Sequence, residues 1–475
     1  MYNVIGSLNG NSNKGAIGMT ELDQLLSQKR RIHLIGIGGS GMFPLVQILH
    51  HMGHQIQGSD NNTGDTIDTE REMGITVYLG HRAHQVEGAD LVIYSAAIMK
   101  DNPELVAAKE QGIPVFERSE VLGWLTRQYN QCICVAGTHG KTTTTALLTQ
   151  ILVASGLDPT AVIGGKLPLI HGSGRAGNSQ IMTVEACEFV DTFLHLSPDI
   201  AVILNVDADH LDYFGTLDNV IRSFHRFADL ASHTVIYNGD DANTRKAVEG
   251  LQGKELITFG FGEGNDYTAQ NIRVLDPSHT RFDLVYKGKT LTEIELCIPG
   301  RHNLFNALAA CAAAQAVGVT PEQLAQTVPG FKGAGRRFEI LGKVRGITIA
   351  DDYAHHPAEL AATLNVAVQM GYNKVWAVFQ PFTYSRTKLL LDDFAQALKI
   401  PDRVVMSEIM GGREYNTWNI YTRDLAEKVP GSVWFNTFEE IADYVLANAE
   451  EGDLVITLGC GDVYKCAKLM LKKGV

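Results

Sequence analysis

Apolar positions along the chain gather in clusters of about five residues, each closed by a turn and followed by a longer stretch with apolar residues three and four apart. That rhythm reads as strand, turn, helix, repeated from end to end. RIHLIGIGG followed by GMFPLVQILHHMG is the first such unit, and Pro44 is tolerated because it falls in the first helical turn. HQIQGSD, ITVYLG, DLVIYSAA and PVFERS continue it as short strands ending in turn residues, so a first doubly wound unit is expected to close near Gln128. A second begins with QCICVAG and the helix TTTTALLTQILVASG, runs through IMTVEA and DIAVILNVD, and ends with NLFNALAACAAAQAVG. Between these, Tyr267 to Pro299 alternates apolar and polar residues, which predicts added antiparallel strands. A third unit follows FKGAGRRFEI, with GITIADDYAHHP, KVWAVFQP, RVVMSEI and DLVITLGCGD in the same βα order. The expected fold class is therefore α/β in three domains, at 31–128, 129–331 and 332–475, with 1–30 read as a disordered leader.

Composition narrows this picture. A chain of 475 residues is too long for one core, and 45% hydrophobic with 20% charged residues is ordinary for a soluble globular protein. The longest apolar runs, such as Ile200 to Leu204, are strand-sized, so no membrane span is expected. The N-terminus lacks a basic segment followed by an apolar core, hence no secretory signal is read there. Seven scattered cysteines without a CxxC pair point to a reducing cytoplasm rather than to disulfides or a zinc ribbon. A net charge of −13 argues against a nucleic-acid partner.

Two glycine turns carry the chemistry. Gly36-Ile37-Gly38-Gly39-Ser40-Gly41 fits GxGxxG between a strand and a helix, where bare backbone approaches a diphosphate at the helix N-terminus, and Asp60 stands where it would accept a ribose hydroxyl. Alone, this loop also fits an NAD-dependent dehydrogenase. The second turn, Gly137-Thr138-His139-Gly140-Lys141-Thr142-Thr143, is a shortened phosphate loop. Its amides cradle phosphates, Lys141 reaches the β/γ oxygens, and the Thr142 hydroxyl can ligate Mg²⁺. Glu185 and His210 both follow predicted strands and are candidate Mg²⁺ ligands beside it. In the third unit, Arg336 and Arg337 form a candidate phosphate clamp, whereas His355, His356, Tyr384 and Arg386 could recognise a small zwitterion, the arginine pairing with its carboxylate.

These motifs, with VEACE, NVDADHLDYF, GRHNLFNA, GAGRRFE, DDYAHHP and FQPFTYSRT in the same order, resemble the Mur ligase family from about Arg31 onward. The resemblance implies a Rossmann-like UDP-sugar domain, a central ATPase of phosphate-loop type with a mixed sheet, and a C-terminal Rossmann-like domain that closes over the amino acid. It implies that Gly38, Gly39, Ser40, Gly41, Met42, Asp60, His81 and Ser95 bind the UDP-sugar. Gly137 to Thr143 would bind ATP, with His302 and Asn303 at the adenine and Arg337 and Asp352 on the γ-phosphate and ribose sides; Thr142, Glu185 and His210 would hold Mg²⁺. His355, His356, Tyr384 and Arg386 would take the amino acid, with Lys141, Arg337, His355 and His356 as the catalytic set.

The activity implied is ATP-dependent joining of L-alanine to the lactyl carboxylate of UDP-N-acetylmuramate through an acyl phosphate, by a cytoplasmic monomer or weak homodimer. Three departures qualify the match. Cys187 replaces an acid in the VEACE motif, with less acidity expected near the metal, and Phe382 replaces a histidine in FQPFTYSRT. No lysine occurs between Asp207 and Ser232, where related ligases carry a carbamylated one, which fits the alanine-adding class. The alternatives are a sibling ligase adding a recycled muropeptide or another amino acid, a nucleotide-binding switch, and the dehydrogenase.

Overall fold

The computed structural model describes residues 20–412 and 414–474. Three sheets follow one another along the chain. The first holds β1 (Arg31–Ile35), β2 (Gln55–Asp60), β3 (Thr76–Leu79), β4 (Leu91–Tyr94) and β5 (Val115–Glu117), all parallel in the order β3-β2-β1-β4-β5. Its order reverses at β1, where the first glycine turn emerges, the position at which open α/β sheets bind ligands.

The second sheet has ten strands: β6 (Gln131–Ala136), β7 (Thr160–Leu167), β8 (Gly172–Arg175), β9 (Ile181–Glu185), β10 (Ile200–Ile203), β11 (Thr234–Asn238), β12 (Glu255–Phe259), β13 (Tyr267–Asp276), β14 (His279–Tyr286) and β15 (Lys289–Leu296). They lie in the order β15-β14-β13-β12-β11-β10-β6-β9-β7-β8. The centre is parallel and fully buried, as strands covered on both faces must be. Both edges are antiparallel: β13–β15, as the alternation in sequence predicts, and the β7–β8 pair, which was not predicted. Gly174 of β8 packs on the helix Phe43–His51 so closely that a Cβ there would lie 2.5 Å from Pro44 Cα, joining the first two units.

The third sheet comprises β16 (Glu339–Val344), β17 (Ile347–Asp352), β18 (Val375–Phe379), β19 (Arg403–Ser407), β20 (Val433–Phe435) and β21 (Leu454–Leu458), ordered β16-β17-β21-β18-β19-β20, parallel except for β16. The apolar core of the first unit runs on under one face of the central sheet through Trp124, Leu125, Phe193 and Phe227; the opposite face is covered by the helices Lys141–Ala154 and His302–Ala316. No helix among the described residues is long and apolar enough to cross a membrane.

The reading of 1–30 as a disordered leader needs correction where the structure describes it. Glu21–Leu26 is a helix with a capping box between Thr20 and Asp23, burying Leu22 and Leu26. Arg127 clasps Asp23 at 3.3 Å. Residues 1–19 of that expected leader lie outside the described residues.

Candidate active site

The first glycine turn is fixed by backbone. Gly36 takes φ +78° and donates its N–H to the Ser59 carbonyl, and Gly39 and Met42 close the turn through 3.2 and 2.8 Å bonds to the carbonyls of Gly36 and Gly39. A Cβ on Gly38 would lie 2.5 Å from the Ile67 side-chain methyl, so any larger residue there would have to displace Ile67. Asp60 Oδ2 accepts the Gly38 N–H at 3.1 Å, which places this carboxylate at the turn, and Ser95 N–H bonds the end of β1 at Ile35. Sequence reasoning missed Arg118. Its guanidinium stands 3.4–3.5 Å from where a Gly41 Cβ would sit, next to Ser40, a cation where a diphosphate would need one. His81, expected at the UDP-sugar, has its Nδ1 3.0 Å from buried Glu104 and 2.9 Å from Ser59 Oγ, and His33 meets the same carboxylate at 3.3 Å. Glu104 is held below the usual carboxylate range: burial, the largest influence, pushes it up, but hydrogen bonds from His33 and Ser59 outweigh that.

The lysine turn is built by β6, the helix Lys141–Ala154 and the loop after β10. Gly140 has φ +88°, and a Cβ there would meet Asn306 Oδ1 at 2.4 Å. Asn205 clamps the turn from the side, accepting the His139 N–H at 2.8 Å and donating to the His139 carbonyl at 3.0 Å, while Asp207 N–H donates to the Thr138 hydroxyl at 2.9 Å. Lys141 Nζ donates to the Gly137 carbonyl at 2.6 Å and sits 2.9 Å from Glu188. Burial alone would lower the lysine pKa, but Glu188 beside it more than compensates, so the value is raised. Sequence reasoning missed Glu188, the last residue of VEACE, whose carboxylate goes to Lys141, next to the exposed Cys187.

Thr142 is where the units converge. Its hydroxyl donates to Glu185 Oε1 at 2.9 Å and accepts from Arg337 Nη2 of the third unit at 3.3 Å. Glu185 Oε2 also accepts the Gly164 N–H at 2.6 Å. The paired-arginine clamp resolves into two different residues: Arg336 is spent inside the third unit on Asp351 at 2.8 Å and on the Gly461 carbonyl, and only Arg337 reaches the phosphate turn. His210 has its ring against Phe189 at 4.8 Å and its Nε2 3.8 Å from Asp209, and among the described residues it hydrogen-bonds to neither Thr142 nor Glu185.

Asp352, expected on the ribose side, is turned inward. It is buried, and its two oxygens accept the N–H groups of Phe338 and Ala354 at 2.8 Å each, so it shapes the segment that carries Arg337. Burial pushes its carboxyl up to about 6 despite the nearby guanidinium of Arg337. Asn303 is likewise engaged, donating to the Pro299 carbonyl at 2.6 Å and accepting from Asn306 at 2.8 Å. His302 opens the helix His302–Ala316, and its pKa is lowered by burial and by the neighbouring His139.

Among the residues expected at the amino acid, Glu359 is an unpredicted hub. It lies 3.2 Å from His355 Nδ1 and 3.9 Å from His139 of the phosphate turn, linking the third unit to the second. Burial opposes its ionisation, but the hydrogen bond from His355 prevails and its pKa is lowered. His356 caps the helix Pro357–Gln369, and burial depresses its pKa although Asp209 and Glu359 favour its charge. Arg386 stands near Asp209, and among the described residues its Nη1 is buried with no hydrogen-bond partner. An unpaired guanidinium N–H in a closed space calls for an anionic ligand. Tyr384 and Phe382 pack under Gly411 and Gly412, whose Cβ positions would lie 3.1 and 3.2 Å from the two rings.

Two phosphate-type turns, a lysine loop closed by an arginine from a third α/β domain, and beyond it an arginine whose Nη1 has no partner among the described residues define a nucleotide-dependent ligase of three domains. Models of the Mur ligase family's catalytic, middle and glutamate ligase domains match residues 31–130, 135–314 and 336–461. The chain belongs to the Mur ligase family. It is 42% identical over 454 residues to the UDP-N-acetylmuramate–L-alanine ligase of Caldanaerobacter subterraneus subsp. tengcongensis, covering 94% of this chain and 98% of that one. The ligase of the same name from Agathobacter rectalis is also 42% identical, with 94% and 99% covered. Among solved structures, a UDP-N-acetylmuramate-alanine ligase from Thermotoga maritima superposes with a TM-score of 0.79 at 26% identity, covering 94% of this chain and 99% of that one. A murein peptide ligase from Psychrobacter arcticus shares the fold, with a TM-score of 0.75 at 24% identity over 93% and 98% of the two chains.

Proposed function

We propose that this chain is the ATP-dependent ligase that joins L-alanine to the lactyl carboxylate of UDP-N-acetylmuramate, in the cytoplasmic synthesis of peptidoglycan precursors. The observation that carries the reading is the Thr142 hydroxyl, shared between Glu185 of the central sheet and Arg337 of the third domain, beside Lys141. Residues 31–128 hold the UDP-sugar, 129–331 the ATP, and 332–475 the amino acid.

A carboxylate is a poor electrophile, so it is first activated. A lactyl carboxylate oxygen attacks the γ-phosphorus; the bond to the bridging oxygen breaks and its electron pair leaves with ADP. Lys141 and Arg337 lie where charge builds on the transferred phosphoryl group, the main protein contribution to such transfers. Thr142 and Glu185 offer hard oxygens 2.9 Å apart, a donor set that fits Mg²⁺ with His210 as a further ligand, and Mg²⁺ bound there would neutralise phosphate charge. The alanine nitrogen then attacks the acyl carbon, the bond to the phosphate oxygen breaks, and phosphate leaves. Arg386 receives the alanine carboxylate on its unpaired Nη1, and His356, kept neutral by burial, is suited to take the amine proton. The domains close over the acyl phosphate and exclude water that would hydrolyse it.

The test is phosphate release from ATP-Mg²⁺ with UDP-N-acetylmuramate, with and without L-alanine, glycine, L-serine or a short muropeptide, with product masses read. Release that needs both substrates and a mass gain of one alanine is expected. Release only with the peptide would make it a peptide-adding sibling, and release indifferent to the sugar nucleotide would overturn the assignment of the first turn.

A further inference from the structure

Away from the nucleotide cleft, the edge of the central sheet gathers a second group of chemically active side chains. In the antiparallel ladder of β14 and β15, Arg281 stands opposite Glu295 and Thr280 opposite Leu296. Continuing that register sets His279 opposite Cys297. Because side chains alternate faces along a strand, His279, Arg281, Glu295 and Cys297 share one face, whereas Phe282, Ile294 and Leu296 fill the core on the other. One ring nitrogen of His279, one carboxylate oxygen of Glu295 and Cys297 Sγ lie within 4.8 Å of one another. Glu295 divides its oxygens: Oε2 pairs with Arg281 at 2.8 Å, and Oε1 faces Cys297 Sγ at 3.9 Å. Asp276 engages His279 Nδ1 at 2.8 Å. A carboxylate on one imidazole nitrogen fixes the tautomer and leaves the lone pair on the other, as it does behind metal-bound histidines.

We propose that His279 Nε2, Glu295 Oε1 and Cys297 Sγ form a binding site for a zinc-like divalent cation, with Asp276 orienting the histidine. A thiolate, an imidazole and one carboxylate oxygen select a borderline-soft ion, and three protein ligands leave the fourth tetrahedral position to water. Mg²⁺, which prefers six oxygens, is a poor fit. Ligand atoms around such an ion stand ~3.5 Å apart, so only small side-chain rotations close the triad from its present spacing. Arg281 and the more distant Lys332 oppose a cation here, yet they also offset the negative charge that a thiolate and a carboxylate bring together. Cys297 leads directly into the Pro299–Asn303 turn, so the ion would staple the strand that delivers the start of the helix His302–Ala316. The predicted consequence is thermal stabilisation rather than a chemical step.

The full chain, stripped of metal and held in excess Mg²⁺, would be titrated with Co²⁺ and followed by absorption. One equivalent is expected to bind with a sulfur-to-cobalt charge-transfer band, bleached by Zn²⁺, absent in C297S and retained in C187S. Asp276→Asn is expected to weaken Co²⁺ binding by roughly 10–100-fold. Zn²⁺ should raise the melting temperature of the parent chain and leave that of C297S unchanged. If C297S does not fold, His279→Gln on the half-exposed imidazole replaces it, with a loss of at least about tenfold in affinity expected. No charge-transfer band, a band that survives C297S, a band lost in C187S, or unchanged affinity in His279→Gln would each overturn the site.

Discussion

Single side chains in this molecule are set by partners that their own motifs do not mention. Lys141 is legible from its turn, but Glu188, which holds it at 2.9 Å, becomes visible only when the loop after β9 folds back. Glu70 is a further case, fully buried, with neither carboxylate oxygen hydrogen-bonded among the described residues. Burial, reinforced by the nearby charge of Asp60, pushes its pKa from 4.5 up to about 8. The folded chain therefore keeps a proton that the unfolded chain has shed, and the stability this group contributes is greatest below pH 4.5 and is lost as pH rises towards 8. A tenfold change in proton affinity between the two states is worth about 1.4 kcal/mol. Glu70→Gln is expected to flatten the fall in melting temperature between pH 5 and about 8 and to melt above the parent chain at the alkaline end; parallel curves for the two proteins would refute the assignment.

At the scale of elements, local chemistry predicted the units well. Strand clusters, glycine turns and periodic helices appear where the apolar pattern places them, because parallel strands buried on both faces need continuous apolar runs. The shortened phosphate turn holds its shape through Gly140, where a side chain would meet both a left-handed backbone and Asn306. Gly140→Ala is expected to cost roughly 1–2 kcal/mol from the backbone alone and to slow turnover by about 100-fold, since a misplaced phosphate loop misaligns the reacting atoms. Thermal melting and ATP-dependent phosphate release check the two effects separately. The β7–β8 pair escaped sequence reading. Its glycine-rich GSGR has no apolar alternation, and its glycines are what let Gly174 approach Pro44 closely.

For the whole molecule, the decisive contacts cross between sheets. Arg337 meets Thr142, Glu359 lies between His355 and His139, and exposed Asp65 of the first unit stands 3.7 Å from Lys166 and 3.4 Å from Lys468. The exposed pairs contribute little to stability, so the functional weight falls on Arg337 and Glu359. Arg337→Ala is expected to lower kcat by ~10²–10³ and leave binding of the UDP-sugar, measured by calorimetry, nearly unchanged, because the first turn lies on another sheet. Glu359→Gln should raise KM for both ATP and the amino acid, since one carboxylate ties the two subsites; an effect on a single substrate would refute that link. The three α/β units, both glycine turns, the lysine and threonine of the phosphate loop and the family are legible along the chain, because strand periodicity, turn conformation and phosphate binding depend on adjacent residues. It took the folded chain to set Arg336 on Asp351 of its own domain and Arg337 on Thr142 of another, to give Asp352 and His81 their inward partners, and to bring Arg118, Glu188, Asn205 and Glu359 up to the two turns and the third-unit histidine. Charges find their partners through the orientation of whole sheets, and no local pattern encodes that orientation.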